Sequence, residues 1–234
     1  MSEFTEDVFP DVGFALEPPR KRETCERCRR PATVCWCPFL PSPIDIKTRV
    51  IILQHPYEGK RRLSTTPMLV NGLAQGSCTI LLGSRFNVSR YPLLEEVVGA
   101  PNTVLLYPDS SAVPINTLPT DKPYNLIVLD GTWLQARGIY GKNSFLQQMK
   151  KVKVTSASVS KYVVRTQPTD ECLSTLESTA LALESLENDS TLFEKLTKPL
   201  NALCDFQLRH GAVAHQSKEY LIKNGIYKSQ KNSS

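Results

Sequence analysis

Long apolar runs are missing from this chain. No stretch of the 234 residues is apolar for long enough to cross a bilayer. The opening MSEFTEDVFPDVGFALEPP is acidic and has no apolar segment ending in a cleavage site, so it does not read as a leader. A membrane span or a secreted scaffold is therefore not expected. The reading is a reducing compartment, cytoplasmic and/or nuclear. Histidine is scarce: His55, His210 and His215 lack metal-ligand spacing, and none is assigned a catalytic role. No internal repeat is found, which excludes a solenoid. Charge of one sign does not dominate either. A net charge of +5 permits nucleic-acid binding without requiring it. The 41% of hydrophobic residues supply core material for one large domain without disulfide staples.

Cysteine is present in small number and uneven distribution. Four of the seven fall in C-E-R-C-R-R-P-A-T-V-C-W-C: Cys25, Cys28, Cys35 and Cys37. A C-x2-C followed closely by C-x-C in one short loop can close a tetrahedral zinc site. Two disulfides or four unrelated thiols are the competing readings. Arg27, Arg29 and Arg30 lie in the loop, and Arg20, Lys21 and Arg22 precede it. A knuckle so rich in arginine suggests a polyanionic partner such as nucleic acid. Cys78, Cys172 and Cys204 sit in apolar surroundings and read as small buried residues.

The punctuation of the chain divides it into an arm (1–22), the cysteine knuckle (23–43), a main domain (44–228) and a polar tail (229–234). Within the main domain, short β-branched runs alternate with helical patterns. Strands are expected at Arg49–Gln54, Thr79–Leu82, Thr103–Tyr107, Asn125–Asp130 and, more weakly, Val152–Thr155. Helices are expected at Thr66–Leu73, Thr132–Met149, Ser174–Glu187 and Leu192–Leu208, the last interrupted near Pro199. The alternation predicts an α/β fold with a mainly parallel sheet.

The clearest strand runs into Asp130-Gly131-Thr132-Trp133. Gly131 permits a tight turn and Thr132 suits the N-cap of the next helix. The carboxylate of Asp130 is thus expected at the carboxyl end of a parallel strand, where open α/β sheets bind ligands. The alternative is that Asp130 only caps the helix while Trp133 packs on the sheet. Ser174 and Glu177 form a Ser-x-x-Glu capping box, and the loop before it offers hydroxyls and free N–H groups to a carboxylate, an ammonium or a ribose. An ordinary helix cap is the competing reading. Lys60-Arg61-Arg62 and Lys150-Lys151-Lys153 are basic clusters. Each alone reads as a solvated face, and with the knuckle they form a candidate track for phosphates.

Taken together, these motifs resemble those of the DTW-domain family, the tRNA-uridine aminocarboxypropyltransferases, in its eukaryotic branch. The resemblance rests on Asp130-Gly-Thr-Trp133, on the knuckle from Cys25 to Pro41, and on Gln54-His-Pro56. Pro101-Asn-Thr103, Tyr107-Pro108, Tyr162 to Arg165, Gln167-Pro168, Cys172-Leu-Ser-Thr-Leu-Glu177 and the stretches Phe206 to Gly211 and Lys223 to Tyr227 add to it. It implies a SPOUT-like fold with a knotted cofactor site, and S-adenosylmethionine as donor. The implied reaction moves the 3-amino-3-carboxypropyl arm to N3 of a tRNA D-loop uridine and releases methylthioadenosine. Asp130, Thr132 and Trp133 are the implied catalytic residues. Tyr107, Pro108, Asp130, Leu173, Ser174, Thr175, Leu176 and Glu177 are the implied donor-binding ones. Zinc is expected on the four knuckle cysteines and tRNA is the expected partner, while subunit number is left open. The chain departs from the pattern at Thr66-Pro67-Met68, where bacterial relatives often carry Thr-Gly-Arg, and at Arg137, which is lysine in some relatives. A methyltransferase of the same fold and a non-catalytic zinc-containing RNA-binding protein are the alternative functions.

Overall fold

A computed structural model describes residues 23–155, 160–166, 169 and 172–226. The arm before residue 23 and the tail beyond 226, with the basic residues Arg20, Lys21 and Arg22, lie outside the described residues. Six parallel strands form one sheet: β1 (Arg49–Gln54), β2 (Cys78–Leu82), β3 (Thr103–Leu106), β4 (Val113–Pro114), β5 (Asn125–Asp130) and β6 (Lys150–Lys153). Their spatial order is β2-β1-β5-β3-β6-β4, with β5 central. The chain is thus an α/β protein with an all-parallel sheet, as its alternation of apolar runs and helical patterns predicts.

A strand turns successive side chains to opposite faces, and both faces here are dry. Val50, Ile52, Val104, Leu106, Leu126, Val128 and Val152 point to one side. They meet α2 (Thr66–Gly72), α6 (Thr175–Glu187) and α7 (Leu192–Arg209). Ile51, Leu53, Leu105, Ile127 and Leu129 point to the other. Those pack on α3 (Pro92–Val98), α4 (Trp133–Lys142) and α5 (Ser144–Gln148). Each fully buried Ile or Leu contributes about 1.5–3 kcal/mol, which is why continuous apolar runs mark these strands.

Three elements depart from the sequence reading. The expected helix 132–149 is two helices, α4 and α5, split at Asn143. The Asn143 side chain accepts from the Phe86 N–H at 2.7 Å and donates to the Ile139 and Ser84 carbonyls, so its polar groups serve tertiary contacts. α7 is not interrupted: it runs through Pro199, which is buried against the core. β6 spans 150–153 rather than 152–155, because its register is set by β3, with Val104 opposite Lys150. The short α1 (Pro56–Gly59), α3, α8 (Lys218–Lys223) and the two-residue β4 complete the architecture.

The cysteine knuckle docks on the α6–α7 side. Trp36, between Cys35 and Cys37, is 3% exposed and joins the core there. Arg27 straps the loop to the end of α2, with Nε 2.8 Å from Asn71 Oδ1 and Nη2 3.1 Å from the Asn71 carbonyl.

Candidate functional site

The parallel register of β1 and β5 sets Gln54 directly opposite Asp130. Both residues are the last of their strands, and both lie on the face covered by α6. The Gln54 amide donates to Asp130 Oδ2 at 2.7 Å and to Thr66 Oγ1 at 2.8 Å. From α6, the Thr175 hydroxyl donates to Asp130 Oδ1 at 2.6 Å. Each carboxylate oxygen therefore has one short, charge-assisted partner. Asp130 is only 4% exposed, and burial raises its pKa above the usual carboxylate range. The bonds from Thr175 and Gln54 oppose that rise, as does nearby Arg165, while Glu58 adds to it.

Directly after Asp130 the chain turns sharply. Gly131 has φ 159°, and a Cβ there would lie 3.0 Å from Gln135. Thr132 then caps α4: its hydroxyl accepts from the Gln135 N–H at 3.3 Å, and Gln135 Oε1 accepts from the Thr132 N–H at 2.8 Å. Trp133 follows at the first turn, 37% exposed, with Leu134 79% exposed beside it. The reading that Trp133 packs away against the sheet does not hold.

A cavity of about 940 Å³ opens over this edge. It is lined by Asp130, Thr132 and Trp133 around the β5–α4 turn, by Tyr107 and Pro108 after β3, and by Leu173, Ser174 and Thr175 at the start of α6. Leu176 and Glu177 do not line it. Leu176 is fully buried in the core, and the Glu177 carboxylate, 1% exposed, is turned inward. Glu177 accepts from the Ser174 N–H at 2.8 Å, from the Ser160 hydroxyl at 2.7 Å and from the Lys161 N–H at 2.7 Å. It fastens the cavity wall from behind. Tyr107 stacks on Tyr140 with ring centroids 4.5 Å apart, which leaves it 9% exposed.

Sequence reasoning did not single out Glu58 for this wall. Its carboxylate is 2% exposed and pairs with Arg165 at 2.9 and 3.4 Å and with Arg61 Nε at 3.3 Å. Glu58 lies far from Arg165 in the chain, and no local pattern marks it. Gln54 did carry a signal, since a polar residue ends an otherwise apolar strand. Cys172, expected to be buried, lines the cavity with Sγ 3.2 Å from the Thr169 hydroxyl. Cys204 is buried as expected, and burial pushes its thiol up to about 11. His55 closes the start of α1, its Nδ1 accepting from the Tyr57 N–H.

The second constellation is the knuckle. Its four sulfurs lie within 4.8 Å of one another. Cys25 and Cys37 are 3.8 Å apart, and Cys28 and Cys35 are 3.6 Å apart. Four thiolates about 2.3 Å from a central tetrahedral ion would have edges of about 3.8 Å, so the donor set fits a metal. All seven cysteines are free thiols. The Cys28 and Arg27 backbone N–H groups draw the Cys25 thiol down to about 6, the direction a metal ligand needs, whereas burial pushes Cys37 up. Arg29 closes the first turn at φ 57°. Arg30 spends its guanidinium on the Val34 and Arg62 carbonyls, so of the three knuckle arginines Arg27 and Arg30 serve as struts.

The DTW domain model matches residues 22–208. The tRNA-uridine aminocarboxypropyltransferase 2 of Drosophila melanogaster is 45% identical over 226 residues, covering 95% of this chain and 90% of the relative. The protein of the same name from Mus musculus is 43% identical over 92% of this chain and 74% of its own length. The tRNA-uridine aminocarboxypropyltransferase A of Arabidopsis thaliana is 30% identical over 81% of this chain and 83% of the relative. No solved structure matches the chain.

Proposed function

Because the chain belongs to the DTW-domain family, we propose that it transfers the 3-amino-3-carboxypropyl group of S-adenosylmethionine to N3 of a tRNA uridine. The observation that carries the reading is the buried Asp130 carboxylate at the cavity edge, held from both sides by Gln54 and Thr175. The donor's sulfonium makes each attached carbon electrophilic, so the site selects the arm over the methyl by position rather than by activation. Uridine N3 is a poor nucleophile until its proton leaves. A carboxylate whose pKa is raised by burial is a better base than an exposed one, and Asp130 takes that role. The N3–H proton passes to Asp130, the N3–carbon bond forms as the carbon–sulfonium bond breaks, and neutral methylthioadenosine departs. Tyr107, Pro108 and Leu173 to Thr175 hold the donor, with Leu176 and Glu177 keeping that segment in shape. Thr132 fixes the turn, and the exposed Trp133 at the mouth offers a face for an extruded base to stack on.

The acceptor in this reading is a D-loop uridine, and the donor site is the SPOUT-like, knotted one of the family. The metal on Cys25, Cys28, Cys35 and Cys37 is zinc, with a structural role, since four thiolates leave no open position for chemistry. No helix of the described residues is long and apolar enough to cross a membrane, and the proposed setting is the cytoplasm and/or nucleus. Incubation with S-adenosylmethionine and unmodified tRNA, followed by mass spectrometry of nucleosides and small products, tests the reading. Methylthioadenosine with an aminocarboxypropyl uridine is expected. S-adenosylhomocysteine with a methylated base would overturn it in favour of methyl transfer, and tRNA binding with neither product would leave a binding module.

A further inference from the structure

Beside the main cavity is a second one of about 280 Å³, lined by Glu58, Arg61, Arg62, Leu63, Tyr162, Val164 and Arg165. We infer that this pocket is a phosphate subsite, taking a backbone phosphate of the RNA strand that delivers the target base to the main cavity. The inference rests on the tRNA reading above and adds to it the surface that holds the strand.

Charge is the first ground. Three guanidiniums face one carboxylate in the lining, a surplus of two positive charges in a space of nucleotide size. Orientation is the second. Buried Glu58 holds Arg165 by two nitrogens, so that guanidinium plane is fixed before any ligand arrives, and it pairs with Arg61 Nε at 3.3 Å. The Arg61 terminal nitrogens and the whole Arg62 side chain have no hydrogen bond among the described residues. The side chains of Arg61 and Arg165 keep 43% and 30% exposure, and Arg62 is exposed. Arginine forks match phosphate oxygens two at a time, and fixed forks lose little entropy on binding.

Rigidity of the loop is the third ground. The Tyr162 hydroxyl donates to the Leu63 carbonyl at 2.6 Å, and Arg30 of the knuckle reaches the Arg62 carbonyl at 3.4 Å. The knuckle therefore braces the Arg61–Arg62 loop. Leu63 and Val164 give the pocket an apolar side for a ribose. Position is the fourth. Glu58, Tyr162 and Arg165 line both cavities, so a phosphate here lies on the strand entering the Asp130 site.

The test uses the full-length, metal-loaded protein and unmodified tRNA transcript, with Arg62→Gln, Arg61→Gln, the double variant and, as control, Lys198→Gln. Lys198 is an exposed α7 residue whose one ion pair among the described residues is with Glu194 in its own helix. Binding is read by fluorescence anisotropy across a salt series, and initial rates give kcat and KM. Each single variant should lower the slope of log affinity against log salt by about 0.7–0.9, and the double variant by about twice that. KM for tRNA should rise several-fold, kcat and S-adenosylmethionine affinity should stay within about twofold, and Lys198→Gln should match the wild type. Unchanged slope and KM in the double variant, with unchanged metal content and melting temperature, would overturn the subsite. Inorganic phosphate that protects the wild type but not the double variant against heat, while leaving tRNA affinity and KM unchanged at constant ionic strength, would also overturn it, in favour of a free-anion site. If Arg61→Gln unfolds the loop by releasing Glu58, the unpaired Arg62→Gln still decides the question. A wild type that forms no aminocarboxypropyl uridine, with slopes falling as expected, refutes the transfer reaction and leaves the subsite standing.

Discussion

Replacing Asp130 by Asn separates charge from shape at the centre of the site. Asn is nearly isosteric. Its Oδ1 can accept the Gln54 amide that now lies 2.7 Å from Asp130, and its Nδ2 can donate to the Thr175 oxygen, now 2.6 Å away. Both partners stay satisfied, so the fold should persist. The effect on stability depends on pH, and its sign follows from burial. Below the ordinary carboxylate range near 3.9, the group is protonated in folded and unfolded chains alike. As the pH rises, the unfolded chain ionises first, because the folded pKa is raised. The wild type therefore loses stability until the pH passes the folded value, and the Asn variant does not. The melting temperature of Asp130→Asn relative to wild type should climb from pH 4 upward and then level. Catalysis should move the other way. Without a base beside N3, turnover should fall by about 10²-fold or more, on the order of 2.7 kcal/mol in the barrier. The wild-type rate should rise with pH through a midpoint above the ordinary carboxylate range, and the variant should lack that limb. Turnover near wild type in folded Asp130→Asn would refute the reasoning. So would a lower melting temperature at neutral pH, since the carboxylate would then be stabilising the fold.

Cys28→Ser should reduce bound metal from one ion per chain to nearly none by elemental analysis. It should also lower the melting temperature, because Cys28 and Cys37 pack against the α6–α7 core, while circular dichroism keeps the α/β signature. Glu177→Ala strands the donors of Ser160, Lys161 and Ser174 and should cost on the order of 3 kcal/mol. At this chain length that is roughly 6–12 °C in melting temperature, with S-adenosylmethionine affinity in calorimetry falling in parallel. A loss of affinity without a loss of stability would mean that Glu177 contacts the donor itself.

Much of this architecture was legible because it is local. The apolar run ending at Asp130 marks a buried parallel strand by composition alone, and Thr132 and Ser174 announce their helices through side chains that bond three residues on. The cysteine spacing brings four sulfurs together within one loop. What the sequence hid is separated along the chain. Gln54 meets Asp130 only because two strands 76 residues apart share a register. Arg165 finds Glu58 across 107 residues. Asn143 divides α4 from α5 because its amide is needed by the loop at Ser84 and Phe86, a demand no helical periodicity records. Pro199 misled for the opposite reason: local propensity forecasts a break, and packing of α7 on the core overrides it.

The Gln54 amide nitrogen donates one hydrogen to Asp130 and the other to Thr66. A group that only donates has no lone pair with which to receive a proton. A proton that Asp130 takes from a substrate therefore cannot be passed inward along Gln54 toward Thr66 and Ser64, although those hydroxyls form a chain 3.0 Å apart. It has two exits: across the Thr175 hydroxyl, or back into the cavity once the product has gone. The base would then be reset by the same opening that admits the next substrate, and the interior of the sheet would stay insulated from the proton traffic at its edge.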